Sequence, residues 1–304
     1  MTLAVCALPG NEPFAARLRE RLGAKAHGLE WRRFPDKESY LRFTEPCEGR
    51  ELALVCTLND PDPKVMTLLF AARTARELGA ASVGLVAPYL AYMRQDRRFR
   101  DGEAITSNYF ASLISSSFDW LVTVDPHLHR RHSLSEIYTV PVKAASAAPA
   151  LAAWIRDNVE RPLVIGPDGE SEQWAAEVAA GSDAPYAVLS KTRRGDRDVE
   201  IKAPPLARWK GHRPVLIDDI ISSARTMAVA VRILAGDGMT DPICAGVHGI
   251  FAAGALEAMR TAGVSRVVTT NTIPHETSAI DISAPVAEAI EEVLSARKQR
   301  PNAR

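Results

Sequence analysis

Cysteine is scarce in this chain: Cys6, Cys47, Cys56 and Cys244 are four among 304 residues and form no Cys-x-x-Cys pair. That spacing excludes a small disulfide scaffold and the common zinc ribbons, and reduced, buried thiols are the expectation. Net charge is missing too, since 37 basic side chains meet 37 acidic ones. No whole-molecule field then draws the chain to nucleic acid or to an anionic membrane, so an anionic ligand must be met by a local cluster. No apolar run approaches the roughly 18 to 20 residues of a membrane span. Met1 to Gly10 lacks the basic start, apolar middle and small-residue exit of a signal peptide. The expectation is a cytoplasmic protein with neither membrane nor nucleic acid as partner.

What the chain does contain is 46% apolar residues in a repeating pattern. Short β-rich runs alternate with stretches whose apolar residues recur every three or four positions, the signature of parallel sheets covered by helices. Predicted strands are Leu3 to Leu8, Leu52 to Leu58, Val83 to Ala87, Trp120 to Val124, Leu163 to Ile165, Tyr186 to Leu189, Val215 to Ile217, Ile243 to Val247 and Val267 to Thr269. Predicted helices include Val65 to Leu78 and Thr226 to Leu234, with Gly79 and Gly236 at their ends. Glu38 to Phe43 alternates polar and apolar side chains, as a half-exposed antiparallel strand or flap does. Around residues 139 to 152 the text turns to small residues and proline before the alternation restarts. The fold class predicted is α/β, with two similar domains spanning 1–143 and 144–304, each a mainly parallel sheet flanked by helices.

Chemistry gathers where buried strands end. Val83 to Ala87 runs into Arg94-Gln95-Asp96-Arg97, Trp120 to Val124 into Asp125-Pro126-His127, Leu163 to Ile165 into Asp168, and Tyr186 to Leu189 into Lys191-Thr192-Arg193. Carboxyl ends of parallel strands are where open α/β sheets bind ligands. The most informative segment is Val215-Leu216-Ile217-Asp218-Asp219-Ile220-Ile221-Ser222-Ser223-Ala224-Arg225-Thr226. A buried strand, two acids and a hydroxyl-rich turn opening a helix supply carboxylates for sugar hydroxyls or a metal, then backbone N–H groups for a phosphate. An N-cap serine beside a solvated acidic turn is the blander reading, but capping alone does not account for two acids directly after a buried strand.

This segment resembles the phosphoribosyl-diphosphate motif of type I phosphoribosyltransferases. The remaining stretches resemble the ribose-phosphate pyrophosphokinase family: Phe34-Pro35-Asp36-Lys37-Glu38, Tyr92-Met93-Arg94-Gln95-Asp96-Arg97, Thr123-Val124-Asp125-Pro126-His127, Gly166-Pro167-Asp168, Lys191-Thr192-Arg193 and Thr270-Asn271-Thr272-Ile273-Pro274. The resemblance implies transfer of the diphosphoryl group of ATP to the anomeric hydroxyl of ribose 5-phosphate, with Mg²⁺ and release of AMP. It implies a catalytic role for Lys191 and Arg193, which close over the transferring phosphoryl groups, and nucleotide contacts from Arg94, Gln95 and Asp96. Phe34 stacks on adenine, and Asp36 and Glu38 hold the flap that presents it to a neighbouring subunit. By the same resemblance His127 and Asp168 serve the metal, Asp218 and Asp219 the ribose hydroxyls, and Ser222, Ser223, Ala224, Arg225 and Thr226 the 5-phosphate. A homo-oligomer is implied, dimer-based and extending to a hexamer.

Departures from the family pattern are local. Lys37 stands where the flap has glycine, Gly169-Glu170-Ser171 where glycines follow the Pro-Asp pair, Ser222 where aspartate is common and Arg225 where the phosphate loop has glycine. Glycine lets backbone approach a phosphate closely, so Arg225 is expected to bring a Cβ into a tight turn while adding a cation. His127, His129 and His132 crowd one loop, but no acid or cysteine is spaced to complete a zinc site with them. Two other functions stay open at this point: a phosphoribosyltransferase, or a non-catalytic homologue that assembles with or regulates an active synthetase.

Overall fold

Continuously apolar runs become strands when helices cover both faces of a sheet, and each fully buried Leu or Val contributes about 1.5–3 kcal/mol. The computed structural model describes residues 2–128, 130–193 and 199–299. It divides into two units, Met1–Ala145 with Ser283–Arg304, and Ser146–Ile282.

The first unit runs β1 (Leu3–Ala7), α1 (Glu12–Leu22), β2 (Lys25–Ala26), β3 (Leu29–Arg33), β4 (Ser39–Phe43), β5 (Glu51–Val55), α2 (Asp62–Glu77), β6 (Ser82–Ala87), α3 (Thr106–Ser117), β7 (Trp120–Val124) and β8 (Val142–Ala145). Six of these strands form a parallel sheet in the order β2-β1-β5-β6-β7-β8. Strands β5, β6 and β7 are buried throughout their lengths. Gly84 on β6 is paired with Trp120 on β7, and a Cβ there would lie 1.9 Å from the indole, so only glycine admits this ring to the core. Strands β3 and β4 stand apart as an antiparallel hairpin.

The second unit runs α4 (Ala148–Asn158), β9 (Pro162–Gly166), α5 (Glu172–Gly181), β10 (Tyr186–Val188), β11 (Ser190–Arg193), β12 (Val199–Lys202), β13 (Arg213–Ile221), α6 (Arg225–Gly236), β14 (Ile243–Gly249), α7 (Ala255–Thr261), β15 (Arg266–Thr270) and β16 (Ser278–Ile280). Its parallel sheet has the order β10-β9-β13-β14-β15-β16, and β11 pairs with β12 in an antiparallel hairpin. The two units therefore share one plan. In each, the second strand lies outside the first, the third lies on the first strand's other side, and a hairpin is inserted between the second and third. Each sheet has its topological switch between the first and third strands, β1/β5 and β9/β13, the position at which such sheets bind ligands.

The last helix, α8 (Ser283–Gln299), belongs to the first unit, so the second unit ends at Ile282. An even division at 143/144 had been expected. Val286, Ile290, Val293 and Leu294 on α8 are buried, Arg297 is ion-paired with Glu51 at 3.0 Å, and Arg21 donates to the Ser283 hydroxyl at 2.7 Å. Gly236 ends α6 as expected, as its last residue, and Gly238 two positions on takes the left-handed conformation at φ +80°. Gly79, at φ +85° just past α2, fits its expected place.

Candidate active site

In the second unit the switch point carries acids. Strand β9 ends at Gly166, whose missing Cβ leaves room for the Ser171 hydroxyl, 2.6 Å from where that Cβ would stand. Ser171 Oγ donates to the Asp168 carbonyl at 2.6 Å and fixes the turn that presents Asp168. Strand β13 runs beside it in parallel, with Leu216 opposite Ile165, and carries Asp218 and Asp219 past the buried part of the sheet. The Asp219 backbone N–H donates to Asp218 Oδ1 at 3.0 Å. Burial, then the neighbouring Asp219 carboxyl and more weakly Asp168, push the Asp218 carboxyl well above the usual carboxylate range. A cation or a hydrogen-bonding ligand at this place would act against that rise by favouring the ionised carboxyl.

Beyond the acids the chain turns through Ser222 and Ser223 to Ala224, which has φ +58° and stands at the N-cap of α6. The strained position is thus Ala224, one residue before the Arg225 that the sequence suggested. Arg225 is the first residue of α6 and is exposed, so its Cβ meets no tight turn. The turn is held from the side, because the Ile221 carbonyl accepts from the Ile250 and Phe251 N–H groups and the Ser222 carbonyl from Ala252. The N-cap residue Ala224 makes no side-chain capping bond, and the first intrahelical bond to the cap runs from the Ala228 N–H to the Ala224 carbonyl. The N–H groups of the first turn are left for an anion, and Arg225 adds a charge at the same place.

Lys191 and Arg193 lie on β11, opposite Ile201 and Val199 of β12. Their side chains are outside the described residues, as are residues 194–198 and His129.

The first unit gathers a different set. Arg94 is exposed and Gln95 half-buried on the loop between β6 and α3, while the Asp96 side chain is only 8% exposed and pairs with Arg130 at 3.0 Å. His127 is half-buried on the loop after β7. The hairpin β3–β4 has two faces. On one, Trp31 Nε1 and Ser39 Oγ meet the Thr67 hydroxyl of α2 at 3.2 and 2.8 Å, and Arg33 donates to the Pro63 carbonyl at 2.8 Å. The other face carries Arg32, Phe34 and Tyr40. The Arg32 guanidinium lies 4.5 Å from the Phe34 ring centre and 4.3 Å from that of Tyr40, with the two rings nearly perpendicular. At the tip, Asp36 Oδ1 accepts from the Glu38 N–H at 3.1 Å, and Lys37 has φ +74°, the conformation that explains glycine as the usual residue there.

Sequence reading missed Arg32, Tyr40, Arg130 and Arg131. The two-residue spacing of Arg32 and Phe34 was a legible sign of a common strand face. Tyr40 needed the hairpin register, which sets it opposite Arg32. Arg130 and Arg131 reach a loop more than thirty residues away, and no local pattern announces that.

Two parallel sheets of one topology, one with paired acids ahead of an uncapped helix, define a protein of the phosphoribosyltransferase class with a doubled domain. Residues 3–117 match the N-terminal domain of ribose phosphate pyrophosphokinase, and residues 134–284 match the phosphoribosyl transferase domain. The ribose-phosphate pyrophosphokinase of Sulfurisphaera tokodaii is 34% identical over 268 residues, covering 86% of this chain and 91% of that protein. That of Methanopyrus kandleri is 34% identical over 278 residues, covering 90% and 94%. A phosphoribosylpyrophosphate synthetase structure from Mycobacterium smegmatis superposes with a TM-score of 0.83 at 25% identity, over 97% of this chain and all of that one. The chain belongs to the ribose-phosphate pyrophosphokinase family.

Proposed function

We propose that this chain binds ribose 5-phosphate on the β9/β13 switch of the second unit and ATP on the loops and hairpin of the first. Family membership gives the reaction, that of a ribose-phosphate diphosphokinase. The anomeric hydroxyl oxygen attacks the β-phosphorus, the bond from that phosphorus to the α-phosphate oxygen breaks, and AMP leaves. The hydroxyl proton goes to solvent or to a nearby base. Such a transfer is catalysed mostly by positioning and by cations facing the spreading phosphoryl charge.

The observation that carries the sugar-phosphate assignment is the acid pair Asp218 and Asp219 followed by the Ala224 turn and the uncapped α6. Adjacent carboxyl groups offer acceptors to a vicinal diol, and the N–H groups at the start of α6 with Ser223, Arg225 and Thr226 suit the 5-phosphate. Ser222 and Ala224 shape that cradle through their backbone. Arg94 and Gln95 take the nucleotide, and Phe34 offers a ring face to adenine, with Asp36 and Glu38 fixing the hairpin tip. Lys191 and Arg193 supply the cations that act on the transferring group.

Mg²⁺ is the metal this reading requires, and the oxygen donor of Asp168 suits a hard cation. Among the described residues no group of three or more His, Cys, Asp or Glu is arranged as a metal cage. Mg²⁺ is usually bound through one or two carboxylates together with substrate phosphates. Asp168 in the second unit and His127 in the first are the residues proposed to serve it, and it would neutralise phosphoryl charge.

The exposed face of the β3–β4 hairpin supports a homo-oligomer, dimer-based or hexameric, in which Phe34 serves a neighbouring subunit. Among the described residues no helix is long and apolar enough to cross a membrane. The compartment we propose is the cytoplasm, on the ground of the ATP-dependent reaction of the family rather than of that absence. The test is formation of AMP from ATP that depends on ribose 5-phosphate and Mg²⁺. Formation of ADP instead, or no AMP, overturns the assignment.

A further inference from the structure

The nucleotide loop of the first unit is fastened to the loop after β7 by two arginines. Arg131 Nη2 donates to the Asp96 carbonyl at 3.3 Å, the Ser107 hydroxyl at 3.3 Å and the Asn108 amide oxygen at 2.7 Å. A single guanidinium thus ties the end of the Arg94-Gln95-Asp96 segment to the first turn of α3, where the Ser107 N–H also donates to the Gln95 carbonyl at 3.3 Å. Arg130 Nη1 reaches both oxygens of the nearly buried Asp96 carboxylate, at 3.0 and 3.3 Å. Its guanidinium also lies 5.3 Å from the Phe99 ring centre, and that of Arg97 lies 4.7 Å from the same ring.

These bonds are costly for a loop with no other purpose. Among the described residues Arg131 meets neutral acceptors, and its buried Nε has no partner there. A half-buried cation with an unsatisfied donor is kept at the expense of stability. What it secures is geometry: His127, three residues before Arg130, and Arg94, two before Asp96, are carried by the two loops that this clamp joins. We propose that Arg131, assisted by the Arg130–Asp96 pair, is a positioning residue for the nucleotide, locking the two loops into one preformed surface. This rests on the assignment of Arg94 and Gln95 to ATP. All three bonds leave one nitrogen, Nη2, which the planar guanidinium holds in place, whereas a lysine at this position keeps the charge but carries it on a flexible stem.

The test compares Arg131→Gln, Arg131→Lys, Arg130→Gln and Arg94→Ala in the full chain, reading KM for ATP, KM for ribose 5-phosphate, kcat and the thermal midpoint. The expected result for Arg131→Gln is a rise of about tenfold in KM for ATP, with KM for ribose 5-phosphate within twofold. Arg131→Lys recovers only part of this, and Arg130→Gln raises KM for ATP by about threefold. Equal rises in both KM values, or a lowered thermal midpoint with both KM values unchanged, assign Arg131 a merely structural role and overturn the inference. If Arg131→Gln does not fold, Arg130→Gln decides by the same criterion. Arg94→Ala separates the two levels. No change in its KM for ATP removes the nucleotide assignment itself, whereas a rise there without one in Arg131→Gln removes only the positioning role.

Discussion

The two switch points, β1/β5 and β9/β13, share a topology and differ in almost every group that a phosphate would meet. At β9/β13 the third strand leads to two acids, a left-handed Ala224 and a helix whose first-turn N–H groups are uncapped. At β1/β5 it leads to Cys56-Thr57-Leu58, and α2 then opens with Pro61, Asp62 and Pro63. Two prolines remove N–H donors, and Asp62 already supplies the negative charge that a helix start attracts. The space between strands is stitched shut. Buried Asn11 donates to the Leu8 and Pro9 carbonyls and accepts from the Thr57 N–H at 2.7 Å. Lys64 donates to the Thr57 and Asn59 carbonyls and the Asn59 side chain. Tyr92 donates to Asp62. One fold plan thus gives paired acids ahead of a helix start in one unit, where we propose that the sugar phosphate binds, and an internally bonded loop in the other. Fold alone does not assign function, whereas the turn after the third strand does.

The largest effect that sharpens this contrast falls on Lys191. Lys191→Ala should lower kcat about 10²- to 10³-fold, about 3–4 kcal/mol, with smaller changes in either KM, because a cation facing developing phosphoryl charge acts mainly in the transition state. Near-normal kcat in steady-state assays would remove its catalytic role. Next comes Phe34→Ala, for which KM for ATP should rise about tenfold or more, in line with about 1–3 kcal/mol for a base on an aromatic ring. Unchanged KM with an intact circular dichroism spectrum would take the hairpin out of the nucleotide site.

Arg225→Ala should raise KM for ribose 5-phosphate about tenfold, near 1.4 kcal/mol, the size of a lost charge-assisted contact. No change would leave Ser223, Thr226 and the backbone as the cradle. Asp218→Asn works in two directions. A carboxyl whose folded pKa is raised binds its proton more tightly folded than unfolded, so the ligand-free chain loses stability as pH climbs from the ordinary carboxylate range through the raised value. Above that window Asp218→Asn should stabilise the ligand-free chain by about 1 kcal/mol, or roughly 2–4 °C, while weakening the binding of ribose 5-phosphate. Thermal melts of parent and variant over a pH series check the sign, and a stability difference that does not move in the variant's favour as pH rises would contradict the raised Asp218 carboxyl.

Much of this was legible in the sequence, for a physical reason. Central strands such as β5, β6 and β7 are buried on both faces and so read as unbroken apolar runs. Edge strands were harder, because Lys25–Ala26 and Ser278–Ile280 bury little and leave no run to see. The docking of α8 on the first unit was invisible, since its apolar stripe fits either unit equally well as text. At the site, the acid pair and the order of motifs could be read, but not which residue of Ser222-Ser223-Ala224-Arg225 bears the strained φ. Backbone conformation there is set by bonds from Ile250, Phe251 and Ala252, some thirty residues downstream. The Arg130–Asp96 pair eluded sequence reading in the same way.

The central claim is that only one of the two like units holds the sugar phosphate, and calorimetric titration of ribose 5-phosphate into the full chain tests it most directly. Lys64→Met serves as the control in the first unit, expected to cost about 1–2 kcal/mol of stability through the carbonyls it leaves unpaired. The account predicts one equivalent bound per chain, lost in the double variant Asp218→Asn with Asp219→Asn and retained in Lys64→Met. Two equivalents per chain, or one that survives the double variant and disappears in Lys64→Met, would contradict it.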